Sequence, residues 1–292
     1  MPQAALALSD PHPAVALLAH EMRVRRGKVP RGIGGHAVAR DQFHITGESY
    51  LMRAENGIAV HYRRGDGLTL EAPDDADPRD VALWLNGSVY AAVAALNGLL
   101  PIHASAVAWN GRVHAFSGPP GAGKSTLAAG LGAEGLPLFC DDTLILDVSG
   151  AGPIQCLPGH KRLKLWPEGM ALAGATAGEQ VASDYPKHFA EPAAGAVAEV
   201  LPLAEILFLE PGDRPELLAI TPAERIARLQ DDHYTARLFE AAAALPRAER
   251  FAQLAGIAAR IPMRRFLRPF EPGRFAEGRG FLAIAIRQDA PS

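Results

Sequence analysis

Cysteine is nearly absent: the chain has two in 292 residues, Cys140 and Cys156, in neither a CxxC pair nor a metal-ligand spacing. That argues against a disulfide scaffold or a thiolate metal cluster, and both read as reduced thiols. No apolar run approaches the roughly 20 residues that cross a bilayer, since Asn97 and Gly98 break the best stretch, 89–100. Met1-Pro2-Gln3 supplies no basic n-region, and Asp10 and Pro11 interrupt what would be a signal core. A cytoplasmic location without a membrane partner is therefore expected. Charge of one sign is also lacking: 29 Lys+Arg against 32 Asp+Glu leave a net −3, so no nucleic-acid footprint is expected. Lysine is scarce. Only residues 28, 124, 161, 164 and 187 are Lys among those 29, so each one is informative. What is present is ordinary globular composition, 48% hydrophobic and 21% charged, enough for one large domain or two modest ones.

Residues 1–40 carry Pro11, Pro13, a basic cluster at 23–28 and glycines at 32, 34 and 35, and read as an irregular lead-in. From 41 to 78 the period changes to two. Segments 43–46, 50–53, 58–62 and 68–71 are short strands between Gly47, Asn56-Gly57 and Gly65-Asp66-Gly67, a small β-meander followed by an acidic linker at 72–79. Residues 80–99 have helical spacing through Val81, Trp84, Leu85, Val89, Ala92, Val93 and Leu96. Segments 102–109 and 112–117 are apolar strands joined by Asn110-Gly111, the pair that favours a type I′ turn. Beyond them, 136–140 and 203–209 read as strands, 222–229 and 247–261 as helices, and 280–286 as a final strand. The fold class expected is α/β, with 79–292 as the main domain.

The second hairpin strand runs into Gly118-Pro119-Pro120-Gly121-Ala122-Gly123-Lys124-Ser125, which fits G-x-x-x-x-G-K-[ST]. At this chain's own residue usage, chance produces the match with a probability of about 0.3%. The glycines let successive backbone N–H groups turn inward onto phosphate oxygens, and the following helix adds its positive end. Lys124 supplies a mobile cation for β- and γ-phosphates, and Ser125 a hydroxyl for Mg²⁺. Asp141-Asp142 closes an apolar strand 17 and 18 residues after Lys124. One carboxylate can hold the metal while the other takes the proton of an attacking hydroxyl; the spacing does not assign which. If Trp109 pairs with Arg112, unbroken antiparallel register sets His103 opposite Gly118.

Ile102-His103-Ala104-Ser105-Ala106-Val107, Asn110-Gly111, the loop and Asp141-Asp142 resemble the catalytic core of the HPr serine kinase/phosphorylase family. More narrowly they resemble its divergent HPr-kinase-like relatives, some associated with peptide tailoring. The resemblance spans roughly residues 85–210. It implies a P-loop kinase core of the HPr kinase C-terminal type, a mixed sheet with a hairpin feeding the P-loop, behind a small β-rich region. It also implies ATP and Mg²⁺ as cofactors, with residues 118–126, Thr126 included, around the nucleotide. Lys124 then lies on the phosphates, Ser125 on the metal, Asp142 acts as base, and His103 belongs to the active site, which leaves Asp141 to the metal. The reaction implied is γ-phosphate transfer to a hydroxyl, most simply serine of a peptide or protein partner. Full members carry Glu where this chain has Thr126, and their Glu-Ile-Arg-Gly-Leu-Gly signature is replaced by Pro158-Gly159-His160-Lys161-Arg162-Leu163-Lys164-Leu165-Trp166. Reverse, phosphate-removing activity is therefore not expected.

Lys161, Arg162 and Lys164 are candidates for phosphate or substrate contacts, with Lys187-His188 and the cluster Arg264, Arg265, Arg268 as weaker ones. The segment 171–198 reads as a mobile cover. A regulatory nucleotide-binding module and a sugar or amino-acid kinase are the rival readings, and a homo-oligomer stays open. No N-K-x-D or LSGGQ-like signature is present, which disfavours a GTPase or an ABC-type ATPase.

Overall fold

The computed structural model describes residues 12–183, 185–230 and 246–288. The first departure from expectation is the lead-in. A helix, Pro13–Glu21, opens with Pro at its first turn and His12 as side-chain cap, and is followed by a strand, Val24–Arg26. Ala14 and Leu18 are buried, so one face of this helix joins the hydrophobic core. Val24–Arg26 pairs in parallel with Gly67–Glu71, extending the meander into a five-stranded sheet. The sheet continues through Ala59–Arg63 and Ser49–Arg53 to Gln42–Thr46, which forms its outer edge.

A helical segment then crosses behind this sheet in three pieces: Pro78–Trp84, a π-helical turn at Leu85–Val89, and Tyr90–Leu96. Residues 91–96 are all buried. A helix apolar on every side must be packed on every side. One hydrophobic cluster accordingly joins Tyr50, Met52 and Val60 of the first sheet, this helix, and Ala106, Ile145 and Ile206 of the main sheet.

Nine described strands form that main sheet. Seven run in the order Leu138–Cys140, Ala104–Trp109, Arg112–Ser117, Leu201–Pro211, Gln155–Leu157, Leu144–Asp147 and Leu100–Ile102. Met263–Arg268 lies parallel to the far half of Leu201–Pro211, with Glu216–Ala219 beyond it. The class is mixed α/β, with parallel and antiparallel neighbours. The hairpin register is as expected: Arg112 faces Trp109 and Ser117 faces Ala104, with Asn110 and Gly111 both at positive φ. Two of these strands are interrupted at the same level. Leu100–Ile102 and Ala104–Trp109 are halves of one strand broken at His103, while Leu138–Cys140 and Leu144–Asp147 are halves of another broken at residues 141–143. The halves pair antiparallel on both sides of the gap, Leu144 with Ile102 and Cys140 with Ala106. That pairing brings His103 and the Asp pair together.

A further expectation needs correction. Residues 280–286 belong to a helix, Phe275–Gln288, whose buried positions Phe275, Gly278, Leu282, Ala283 and Ile286 recur at helical spacing and pack on the helix Lys124–Ala133. Segment 171–198 holds Gln180–Ala182 and Tyr185–Ala190, which with Leu163–Leu165 make a three-stranded sheet. Buried Asp80 ties that small sheet to the first one. It accepts bonds from the Ser183 N–H (2.8 Å), the Ser183 hydroxyl (2.9 Å) and the Asn56 amide (3.2 Å). Asp80→Ala strands these donors and is expected to lower unfolding free energy by about 1–3 kcal/mol in urea titration; an unchanged midpoint would show that the clamp is unimportant.

Candidate functional site

The strand Arg112–Ser117 delivers the chain into the glycine-rich loop, and the helix Lys124–Ala133 carries it away. Gly118, Gly121 and Gly123 all have positive φ (153°, 83° and 79°), which L side chains rarely adopt. A Cβ on Gly123 would also come within 2.6 Å of the Arg268 guanidinium. No side chain caps this helix, so its first N–H groups are left to the loop's interior.

Lys124 folds back into the loop, its ammonium donating to the carbonyls of Gly118 (2.9 Å) and Pro119 (3.2 Å). Burial pushes its pKa down to about 8, against the pull of Asp141 and Asp142. Arg268, also buried, donates to the Ala122 carbonyl at 2.7 Å and lies over the Phe270 ring.

Opposite the loop are the two strand breaks. Asp142 sits at φ 74°, a left-handed conformation that Asp tolerates better than most residues. Its Oδ2 accepts from the Lys164 ammonium at 3.0 Å, and its Oδ1 lies 3.5 Å from His103 Nδ1. Burial would raise the Asp142 pKa, but Lys164 and His103 outweigh it and hold the carboxyl below its usual value. His103 Nδ1 is 2.8 Å from the Asp142 carbonyl. A carbonyl only accepts, so Nδ1 carries the proton. Burial, then the charge of Lys124, lowers the His103 pKa, and the ring is neutral at pH 7.

Asp141 behaves differently from its neighbour. It is 1% exposed, with Oδ1 accepting from the Ser105 hydroxyl (2.6 Å) and Oδ2 from the Lys164 N–H (2.8 Å). It fastens the broken strands beneath the site, and Asp142 is the member of the pair that lines the cavity.

That cavity, about 600 Å³, is bordered by His103, Pro120, Gly121, Gly123, Lys124, Ser125 and Thr126 on the loop side. Asp142, Lys164, Glu168 and Lys187 close the other side, with Arg268 and Phe270 at a third. Of the cations at 161–164, only Lys164 arrives there. Lys161 donates to the Phe139 carbonyl (2.6 Å) and lies over that ring, burial lowering its pKa to about 8. Arg162 pairs with Glu179 (2.8 Å) and Glu191 (3.3 Å). The three C-terminal arginines separate too, since Arg264 bonds Glu205, Arg265 bonds Glu210, and Arg268 alone reaches the loop. Lys187, whose ammonium lies 5.6 Å from the Trp166 ring centre, joins Tyr185 on the cavity wall two residues away. Asp184 lies outside the described residues.

The residues present fit a nucleoside triphosphate, because the loop is glycine-rich, the helix after it has no side-chain cap at its N-terminus, and buried Lys124 lies within the loop. For Mg²⁺ the cavity offers the Ser125 hydroxyl with Asp142 and Glu168. No group of three or more His, Cys, Asp or Glu gathers among the described residues. This sparse donor set suits Mg²⁺, which takes one or two carboxylates plus substrate phosphates. No helix among the described residues is long and apolar enough to cross a membrane.

No family model matches the chain, and no curated protein does. Among solved structures, the HPr(Ser) kinase/phosphatase from Coxiella burnetii aligns at 14% identity and a TM-score of 0.32. The alignment covers 64% of this chain and 88% of that one. A likeness this low carries no weight on activity, which is argued below from the site itself.

A phosphate placed beside Lys124 would restore its ammonium. Calorimetry of Mg-ATP binding in buffers of different ionisation enthalpy is therefore expected to show proton uptake at about pH 8.5 and almost none at pH 6.5. Uptake that persists in Lys124→Ala would remove Lys124 as its source.

Proposed function

We propose that this protein is an ATP- and Mg²⁺-dependent phosphotransferase that moves a γ-phosphate onto a hydroxyl, serine of a peptide or protein being the acceptor. The observation that carries the reading is the shared cavity. It holds a glycine loop with a buried lysine on one side and, on the other, a carboxylate kept ionised by the Lys164 ammonium.

Loop amides and Lys124 bind the β- and γ-phosphates. Arg268, bonded to the Ala122 carbonyl, holds the loop's shape. The Ser125 hydroxyl and Asp142 carboxylate would hold Mg²⁺, which would supply positive charge against the phosphates. The acceptor hydroxyl approaches the γ-phosphorus and its proton passes to the Asp142 carboxylate. An oxygen–phosphorus bond forms as the bond from the γ-phosphorus to the bridging oxygen breaks, and that electron pair leaves on ADP. A carboxylate with a lowered pKa is a weak base. The loose transition state of phosphoryl transfer asks mainly for orientation, with proton loss late. Lys164 serves by fixing Asp142 and offering a cation to the transferring group. Neutral His103 holds the Asp142 backbone through its Nδ1 proton.

Lys124→Ala is expected to abolish transfer from radiolabelled ATP to serine peptides. Asp142→Asn is expected to keep Mg-ATP affinity within a few-fold and to slow transfer by about 10²-fold or more. Wild-type rates in either variant would overturn these roles. Asp141→Asn is expected to act through stability, lowering the melting temperature together with activity.

A further inference from the structure

A second cleft, about 380 Å³, meets the first at its floor. Asp142, Lys164, Tyr185 and Lys187 border both, yet the second includes none of residues 118–126. A group in it reaches Asp142 without crossing the phosphate loop. Its walls come largely from the N-terminal third of the chain. Phe43, Tyr50 and Met52 of the first sheet and Leu83 and Trp84 of the crossing helix make an apolar part, and Asp41, Gln42, Arg53 and Ser88 a polar part. The π-helical turn lies at the junction. Gly87 there has non-helical φ/ψ, and a Cβ on it would sit 3.8 Å from Asp142 Oδ2, so bare main chain passes beside the carboxylate.

Gln42 and Phe43, at the start of Gln42–Thr46, the outer strand of its sheet, border the cleft. Among the described residues no strand pairs with that outer side. Phe43 on it is 46% exposed. An exposed strand edge is a template for an extended chain, giving affinity through main-chain bonds while alternate side chains drop into pockets.

We propose that this cleft is the acceptor site, and that the acceptor is an extended peptide laid along the Gln42–Thr46 edge with a bulky apolar side chain beside the hydroxyl-bearing residue. The apolar side chain fills the space between Phe43, Met52 and Trp84. The hydroxyl reaches Asp142, which takes its proton as the oxygen bonds to the γ-phosphorus and ADP leaves. The proposal rests on the phosphotransferase reading, and it names what that reading leaves open: why a β-rich region precedes the phosphate loop.

The test uses the full chain with Mg-ATP, a positional library Ac-Xaa-Xaa-Ser-Xaa-Xaa-NH2, and N-acetylserinamide. Transfer is expected to favour aromatic or large aliphatic residues next to serine, with kcat/KM at least about tenfold above N-acetylserinamide. Phe43→Ala, at a surface position, is expected to raise peptide KM by about tenfold at unchanged Mg-ATP affinity, and Phe43→Leu to recover most of it. Hydrogen exchange of residues 42–46 should slow when the best peptide binds with Mg-ADP. Peptides no better than N-acetylserinamide or free sugars, or a peptide KM and a 42–46 exchange rate that ignore Phe43 and peptide, would overturn the proposal while sparing phosphoryl transfer. Absence of transfer to every acceptor, with Mg-ATP bound, would overturn the phosphotransferase reading and this proposal with it.

Discussion

An ionised carboxylate in a half-closed cleft survives only where cations and donors outweigh its lost hydration, and the site is organised around meeting that condition for Asp142. Lys164 supplies the compensating charge and His103 holds the Asp142 main chain, and neither is near Asp142 in sequence. They meet because two paired strands break at the same level, one at His103 and the other at residues 141–143, while Asp141 pins the gap through Ser105 and the Lys164 amide. The pair of aspartates thus divides its labour by burial, one oxygen pair serving the fold and the other the cavity.

The same arrangement explains why two clefts share one floor. The left-handed backbone at Asp142 turns its carboxylate out between the phosphate loop and the crossing helix. The helix can pass close because its π-helical turn presents a glycine there. The first sheet is covered on one face by that helix, and Gln42 and Phe43 of its edge strand border the same cleft as Asp142. An apparent N-terminal appendage thereby shares a core with the sheet that carries the loop.

The glycine-rich loop's backbone and its feeding hairpin were legible in sequence because glycine spacing and an Asn-Gly turn are local signals, and register then placed His103 beside the loop. The helix Pro222–Leu229 was legible for the same local reasons, a Thr221 cap with Pro at its start. Long-range compensation was not legible. Met263–Arg268 hid its strand character behind Arg264 and Arg265, whose charges are answered by Glu205 and Glu210 on the neighbouring strand. Lys161 and Lys164 looked alike as neighbours in a basic run, yet backbone direction sends one to a carbonyl and the other to a carboxylate. The helix Phe275–Gln288 was misread because its last apolar run, seen without Phe275 and Gly278, has no visible period.

The account's central claim is geometric: a triphosphate seated in the loop must present its γ-phosphate to Asp142. The most direct measurement is a crystal structure with Mg²⁺ and a non-hydrolysable ATP analogue. The γ-phosphate is expected between the Lys124 ammonium and the Asp142 carboxylate, with the mouth of the second cleft still open. A triphosphate bound elsewhere, or one whose γ-phosphate points away from Asp142, would contradict the account.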